Sequence, residues 1–215
     1  MITDGIRVGT LHSYRDYGLS IKSRNIGLPT KKSIRETVPF MNGYYDFSAL
    51  NGSPAWGERT ISYAFDVIAV TTVELDAAVS KVMDWLCNIH DEDIFDDDMP
   101  IYHWHGSYES SSVDWDETGL QAEISVTFVC YPFKIANNRT VLNMTTGRYT
   151  VKNLGMAVAP IVKSDASGTI YIGSYGSVFP ANAEVKLGID LERGENTVTV
   201  VINGTLEFGF YMEVM

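Results

Sequence analysis

The chain has few cysteines, no long apolar run and little positive charge. Its two cysteines, Cys87 and Cys130, both fall in apolar patterns, so we expect free buried thiols of a reducing compartment. No apolar stretch approaches the ~20 residues that a membrane-spanning helix needs. The first residues, MITDGIRVGTLHS, lack the charged start and apolar core of a signal peptide. We therefore expect synthesis in a cytoplasm and no association with a membrane.

Motifs that support catalysis are also lacking. There is no glycine-rich phosphate loop, no Ser-His-Asp or Cys-His arrangement and no GxSxG. His103 and His105 share one face of a predicted strand, but zinc needs three or four ligands and no third is clearly placed. The acidic run 91–98 lacks the central Gly and terminal Glu of a calcium loop. We expect no catalytic residue, no metal and no cofactor.

Charge is distributed unevenly along the chain. The formal net charge is −11, from 16 Lys and Arg against 27 Asp and Glu. Residues 7–35 carry seven basic residues and one acid, a net of +6, in a turn-rich arm (12–47) interrupted by Gly and Pro. Residues 66–123 carry one Lys and fifteen acids, a net of −14. This charge balance argues against direct nucleic-acid binding by the body of the protein.

The first half predicts strands around one helix. The alternation in 59–70 predicts a long strand, and 101–108 and 119–133 predict two more. Thr71 and Glu74 have the spacing of a capping box, and an apolar stripe from Leu75 to Leu86 predicts an amphipathic helix over 71–87. Run 91–98 holds six acids, and we expect it to form an exposed loop because clustered carboxylates repel one another.

The composition changes near residue 134. We predict a boundary there, with domains 1–133 and 134–215 and a mobile connection over 134–147. Six short strands over 148–214 predict a β-sandwich. Asn203-Gly204, between alternating runs, predicts a hairpin.

The order of these features resembles the distal tail protein (Dit) family of siphophages, the phage tail components. The resemblance covers nearly the whole chain, although each motif is short. Its residues are His12-Ser13, Asp16-Tyr17-Gly18-Leu19, Val38-Pro39, Asn42-Gly43, Tyr45-Asp46-Phe47, Trp56-Gly57-Glu58-Arg59, Ala159-Pro160-Ile161 and Gly194-Glu195-Asn196.

The resemblance implies a mainly β fold with one helix (α+β), in which an N-terminal ring-forming β domain precedes a galectin-like C-terminal β-sandwich. It implies a structural protein of the virion tail tip, made in the cytoplasm of a host bacterium. Six copies would form a ring between the tail tube protein and the tail-associated (Tal) protein, with a receptor-binding protein as a further partner. DNA would pass through the channel without specific binding.

The charge pattern and the resemblance together give candidate residues. Expected ring contacts are the basic residues Arg15, Arg24, Lys31, Lys32, Arg35 and Arg59. Expected acids of the lumen, or alternatively of the outer rim, are Asp93, Asp96, Asp97 and Asp98. The alternative function is a carbohydrate-binding module that contacts cell-wall saccharide, with Tyr149, Tyr171 and Tyr175 as stacking platforms. These tyrosines are more often simple sheet packing.

Overall fold

A computed structural model describes residues 4–48 and 54–215 of the chain. It divides into two compact units, residues 1–133 and residues 134–215. Both are mainly β, as the alternating patterns predict. The described residues contain no helix long and apolar enough to cross a membrane.

The N-terminal unit holds both helices and one large antiparallel sheet. Its elements are β1 (Ile6–Val8), β2 (Leu11–His12), α1 (Ser13–Tyr17), β3 (Ser20–Ile26), β4 (Arg35–Glu36), β5 (Tyr45–Asp46), β6 (Arg59–Ile68), α2 (Thr72–Cys87), β7 (Glu92–Asp96), β8 (Tyr102–Trp115) and β9 (Gln121–Cys130). Seven strands lie in the order β2-β1-β7-β8-β9-β6-β3, while β4 and β5 pair only with each other.

Helix α2 forms where its sequence pattern predicts. Thr71 has extended backbone angles and its hydroxyl accepts a hydrogen bond from the Glu74 amide at 3.2 Å, which satisfies one of the free amides of the first turn. The apolar stripe of α2 packs on the sheet in a core that includes Leu75, Val82 and Phe128. The predicted helix and the predicted strand over 59–70 are confirmed to within a few residues.

The turn-rich arm contains more regular structure than its sequence suggests. The one-turn helix α1 begins after His12, whose ring Nδ1 accepts from the amides of Tyr14 and Arg15. Strand β3 follows and pairs with β6 along its whole length, with a bulge between Ile21 and Ser23. A histidine N-cap falls outside the usual Ser, Thr, Asp and Asn, so sequence patterns do not predict a cap at this position.

The C-terminal unit is a sandwich of two four-stranded antiparallel sheets. Its strands are β10 (Lys134–Ala136), β11 (Thr140–Met144), β12 (Gly147–Asn153), β13 (Ile161–Ser164), β14 (Gly168–Ile172), β15 (Tyr175–Phe179), β16 (Glu184–Lys186), β17 (Gly194–Ile202), β18 (Leu206–Phe210) and β19 (Glu213–Val214). One sheet has the order β11-β18-β13-β16 and the other β12-β17-β14-β15, with a shared core that includes Val162, Ile170 and Phe208. The remaining two strands, β10 and β19, lie outside these two sheets and pair with each other.

Two expectations for this unit are wrong. Asn203-Gly204 does not close a hairpin, because β17 pairs with β12 and β14 whereas β18 pairs with β11 and β13, in the other sheet. A pattern of period two marks strands without saying which strands pair, and here the short turn crosses between the sheets. The window 134–147 is not an open connection, because β10 and β11 lie within it.

Candidate assembly surface

The segment of residues 30–47, hereafter the arm hairpin, stands out from the N-terminal unit. Strands β4 and β5 pair Arg35 with Asp46 and Glu36 with Tyr45, and the amide of Phe47 donates to the carbonyl of Ile34 at 2.8 Å. Every residue from 30 to 47 is exposed. An isolated two-stranded hairpin is marginally stable in water, so this hairpin lacks the packing that normally supports such an element.

Apolar side chains account for much of that exposure. The Phe40 side chain is fully exposed, and Ile34, Val38, Tyr44 and Tyr45 are about half exposed. Phe40 also has a positive φ of 67°, which is uncommon for a bulky residue and turns it at the tip of the hairpin. Contiguous exposed apolar surface of this kind marks an interaction site in a soluble protein.

The six basic residues expected at ring contacts fall into different environments. Arg15 pairs with Asp16 at 2.9 Å on the surface, and Arg35 lies 3.5 Å from Asp46 and over the Tyr44 ring. Lys31 and Lys32 are exposed and have no ion pair among the described residues. These two lysines therefore remain available on the arm hairpin, whereas Arg35 is already engaged within it.

Arg59 is not available for a contact between subunits. Its side chain is buried, with a fractional exposure of 2%, and its guanidinium lies over the Trp104 ring at 4.7 Å. Burial lowers the pKa of Arg59, and its Nε and Nη2 have no hydrogen-bond partner among the described residues. The expectation of a ring contact is wrong for Arg59, because the first residue of β6 faces the core.

Arg24 is likewise used inside the protomer. Its Nε donates to both oxygens of Asp96, at 3.0 and 3.2 Å, and its other nitrogens donate to Asp4. Asp96 also accepts from the Tyr63 hydroxyl at 3.0 Å and from the Asp98 amide at 3.0 Å. Strands β3 and β7 are not neighbours in the sheet. The side-chain cluster therefore connects two strands that are not hydrogen-bonded to each other through their backbones.

The same cluster corrects the interpretation of the acidic run. Residues 92–96 form strand β7, and the Asp96 side chain is 0% exposed. Asp96 therefore faces neither a lumen nor a rim. A buried carboxylate is tolerated when it is paired and hydrogen-bonded, and Arg24 supplies that pairing from a strand 72 residues away in the sequence. Desolvation beside Asp96 raises the pKa of Tyr63 strongly, so this hydroxyl stays a donor.

The other three acids of the predicted set remain accessible to different degrees. Asp93 lies 2.8 Å from Nδ1 of His105 and 3.5 Å from Nε2 of His103. Asp97 lies 3.0 Å from Nε2 of His12. The Asp98 side chain is mostly exposed.

His105 is shared between two carboxylates on the hairpin of β7 and β8. Its second nitrogen lies 3.0 Å from Asp91. Burial lowers the pKa of His105, but the hydrogen bonds to Asp93 and Asp91 outweigh burial and the pKa is raised. No group of three or more metal-ligating side chains is arranged to hold a metal ion in the part of the chain that the structure describes.

The three tyrosines proposed as saccharide platforms do not converge. Tyr171 alternates with the buried Ile170 and Ile172, so it points outward from β14 and lies against Gly176. Tyr149 shares the inward parity of Val151 on β12 and packs against the core, and its hydroxyl bonds to Thr145. Tyr175 is paired with Ile172. The three side chains therefore do not form one shared stacking platform.

The arrangement of helices, strands and sheets defines the structural class of this protein. A curved antiparallel sheet with one packed helix and a protruding hairpin is followed by an eight-stranded sandwich, and no described cluster has the geometry of a metal centre. The class is therefore a mainly β protein in which a sheet-and-helix unit is followed along the chain by a β-sandwich.

Comparison with solved structures gives a match over the whole chain. The crystal structure of the SPP1 Dit protein (gp 19.1), described as a paradigm of the hub adsorption apparatus in phages that infect Gram-positive bacteria, matches with a TM-score of 0.74. The match covers 99% of this chain and 99% of that chain at 16% sequence identity. No protein-family model and no curated protein matches the sequence. The chain therefore has the Dit fold, as the resemblance implied.

Proposed function

We propose that this protein is a structural hub at the distal end of a phage tail. The observation that carries the proposal is the match of 99% of both chains to the SPP1 hub protein, which includes both units. The hub would be a hexameric ring in the virion, or in the particle of a prophage. The ring would join the tail tube protein to the tail-associated protein and to a receptor-binding protein. No catalytic step is part of this role.

The arm hairpin supports assembly from copies of the same chain. Its exposed Phe40, Ile34 and Val38 gain stability only when another surface covers them. Lys31 and Lys32 add a positive charge that an acidic neighbour attracts. Contact between two different surfaces of identical copies closes into a ring when the rotation between them permits.

An acidic channel lining suits a ring through which DNA passes. A duplex carries one negative charge per ~1.7 Å, so a basic lining binds it through released counterions, whereas an acidic lining repels it. Asp98 and, to a lesser degree, Asp93 and Asp97 remain candidates for the lumen, with the outer rim as the alternative. The saccharide alternative has less support, because Tyr149, Tyr171 and Tyr175 do not share a face.

Electron microscopy and light scattering of the purified full chain test the proposal. We expect six-fold rings and a hexamer mass for the wild type at high protein concentration. A variant in which 30–47 is replaced by a short Gly-Ser linker is expected to stay monomeric with unchanged circular dichroism. The matched control, Val178→Asp, changes an exposed valine of the C-terminal unit and is expected to assemble. Wild-type protein that remains monomeric at high concentration and low salt, with no rings, contradicts the proposal.

A further inference from the structure

A second exposed apolar surface lies in the N-terminal unit, where β6 ends and α2 begins. It consists of Ile68, Val70 and Val73, hereafter the apolar corner. The fractional exposures of Ile68, Val70 and Val73 are 73%, 85% and 78%. The amide of Ala69 donates to the carbonyl of Leu120 at 2.9 Å, which holds the β6–α2 connection against the β8–β9 turn. Aliphatic side chains grouped at such exposures mark a surface that a partner covers.

Carboxylates border the apolar corner on the sheet side. Asp66, Glu123 and Asp114 are cross-strand partners in one row over β6, β9 and β8. Like charges directly opposite one another destabilise a sheet. Lys22 reaches Glu123 and lies 3.9 Å from Asp66, and it is the one basic residue among those that line the adjoining cleft of about 170 Å³. The border therefore keeps an excess of negative charge.

We propose that the apolar corner receives the arm hairpin of a second copy of this chain. The two surfaces are complementary: the arm hairpin exposes Phe40, Ile34 and Val38 beside Lys31 and Lys32, and the corner exposes aliphatic side chains beside an acidic row. This inference rests on the proposed ring, for which it names the receiving surface.

The positions of the two surfaces on β6 favour a contact between copies. The arm hairpin returns to the sheet at Arg59, where β6 begins, and the corner starts at Ile68, where β6 ends. The nine residue steps from Arg59 to Ile68 separate these points by about 30 Å. The arm hairpin and the corner are thus different surfaces at opposite ends of one strand, as a heterologous contact requires.

Cross-linking of mixed subunits tests the contact directly. In a Cys87→Ser background, full-length Phe40→Cys protein and Val70→Cys protein are purified separately and then oxidised alone and in an equal mixture. We expect a disulfide-linked dimer in the mixture and none in either protein alone. In parallel, Val70→Asp is compared with Val178→Asp for self-association. We expect Val70→Asp to weaken association at least about tenfold, because it places a charge in an apolar contact beside an acidic row.

Each outcome bears on either the receiving surface or the ring. A linked dimer only in the mixture, together with weakened association of Val70→Asp, supports the inference. If the wild type forms rings while Val70→Asp associates as well as Val178→Asp and no linked dimer forms, the receiving surface is wrong and the proposed ring stands. A dimer in Val70→Cys protein alone indicates that two corners meet and overturns the inference. Wild-type protein that never associates overturns both proposals.

Discussion

The cluster around Asp96 gives the sharpest prediction for stability. Replacing Arg24 by Met keeps most of the side-chain volume but removes the cation that faces a carboxylate with 0% exposure. Removing one partner of a buried ion pair typically costs 3–5 kcal/mol, because the remaining charge is left uncompensated. Tyr63 and the Asp98 amide still donate to Asp96 in the variant. We therefore expect a loss near the lower limit, about 3 kcal/mol.

Two further variants separate the buried pair from the exposed one. Asp4→Asn removes the other carboxylate bound to the same guanidinium, but the Asp4 side chain is 41% exposed, so the expected loss is about 0–1 kcal/mol. Adding Asp96→Asn to Arg24→Met removes the uncompensated charge. We expect the double variant to be more stable than Arg24→Met alone, because no buried charge is then left uncompensated.

Urea denaturation followed by tryptophan fluorescence measures these changes in the N-terminal unit alone. All four tryptophans, Trp56, Trp85, Trp104 and Trp115, lie before residue 134. The shift of the urea midpoint at unchanged slope gives the change in the free energy of unfolding. The reasoning is refuted if Arg24→Met costs no more than Asp4→Asn, or if Asp96→Asn further destabilises Arg24→Met.

Three more predictions concern the exposed hairpin, the two thiols and His105. Trypsin is expected to cut monomeric protein first at Lys31, Lys32 or Arg35 and to leave fragments in which 134–215 stays folded, as independent domains require. Early cleavage after Arg139, at the start of β11, seen by mass spectrometry, argues against this. Burial raises the pKa of Cys130 to about 12, whereas Cys87 is exposed. A thiol reagent at neutral pH is therefore expected to modify Cys87 alone until the protein unfolds. Rapid reaction of both thiols in the folded protein contradicts this expectation. The pKa of His105 is raised in the folded protein, so protonated His105 stabilises the β7–β8 hairpin fully below the pKa of the unfolded chain, about 6.5, and this stabilisation is lost as pH rises through the higher folded pKa. Over that pH range the urea midpoint of His105→Gln is expected to depend less on pH than that of the wild type. An identical pH profile for the two proteins argues against the pairing of His105 with Asp93 and Asp91.

Local sequence patterns predicted the helices and strands of this fold better than they predicted which residues and strands contact one another. The α2 stripe and the Thr71 cap are local signals, and the structure places both as predicted. The partner of Asp96 could not be predicted, because Arg24 meets it only after the sheet curves and the two residues are 72 positions apart. The same limit explains Asn203-Gly204: the turn chemistry is local, but the two-sheet packing decides whether the flanking strands pair.

The structure also changes the balance of forces expected at the assembly surface. The net charge of +6 over residues 7–35 suggested contacts made chiefly by charge, yet Arg24 is neutralised by Asp96 and Asp4, and Arg15 by Asp16. On the arm hairpin the side chains of Lys31 and Lys32 form no ion pair among the described residues. Exposed ion pairs contribute about 0–1 kcal/mol each, whereas burying one large apolar side chain contributes about 1.5–3 kcal/mol. With Phe40, Ile34 and Val38 exposed on the same hairpin, apolar burial would supply the larger part of the association energy in the proposed ring contact, and the lysines would select an acidic surface for it.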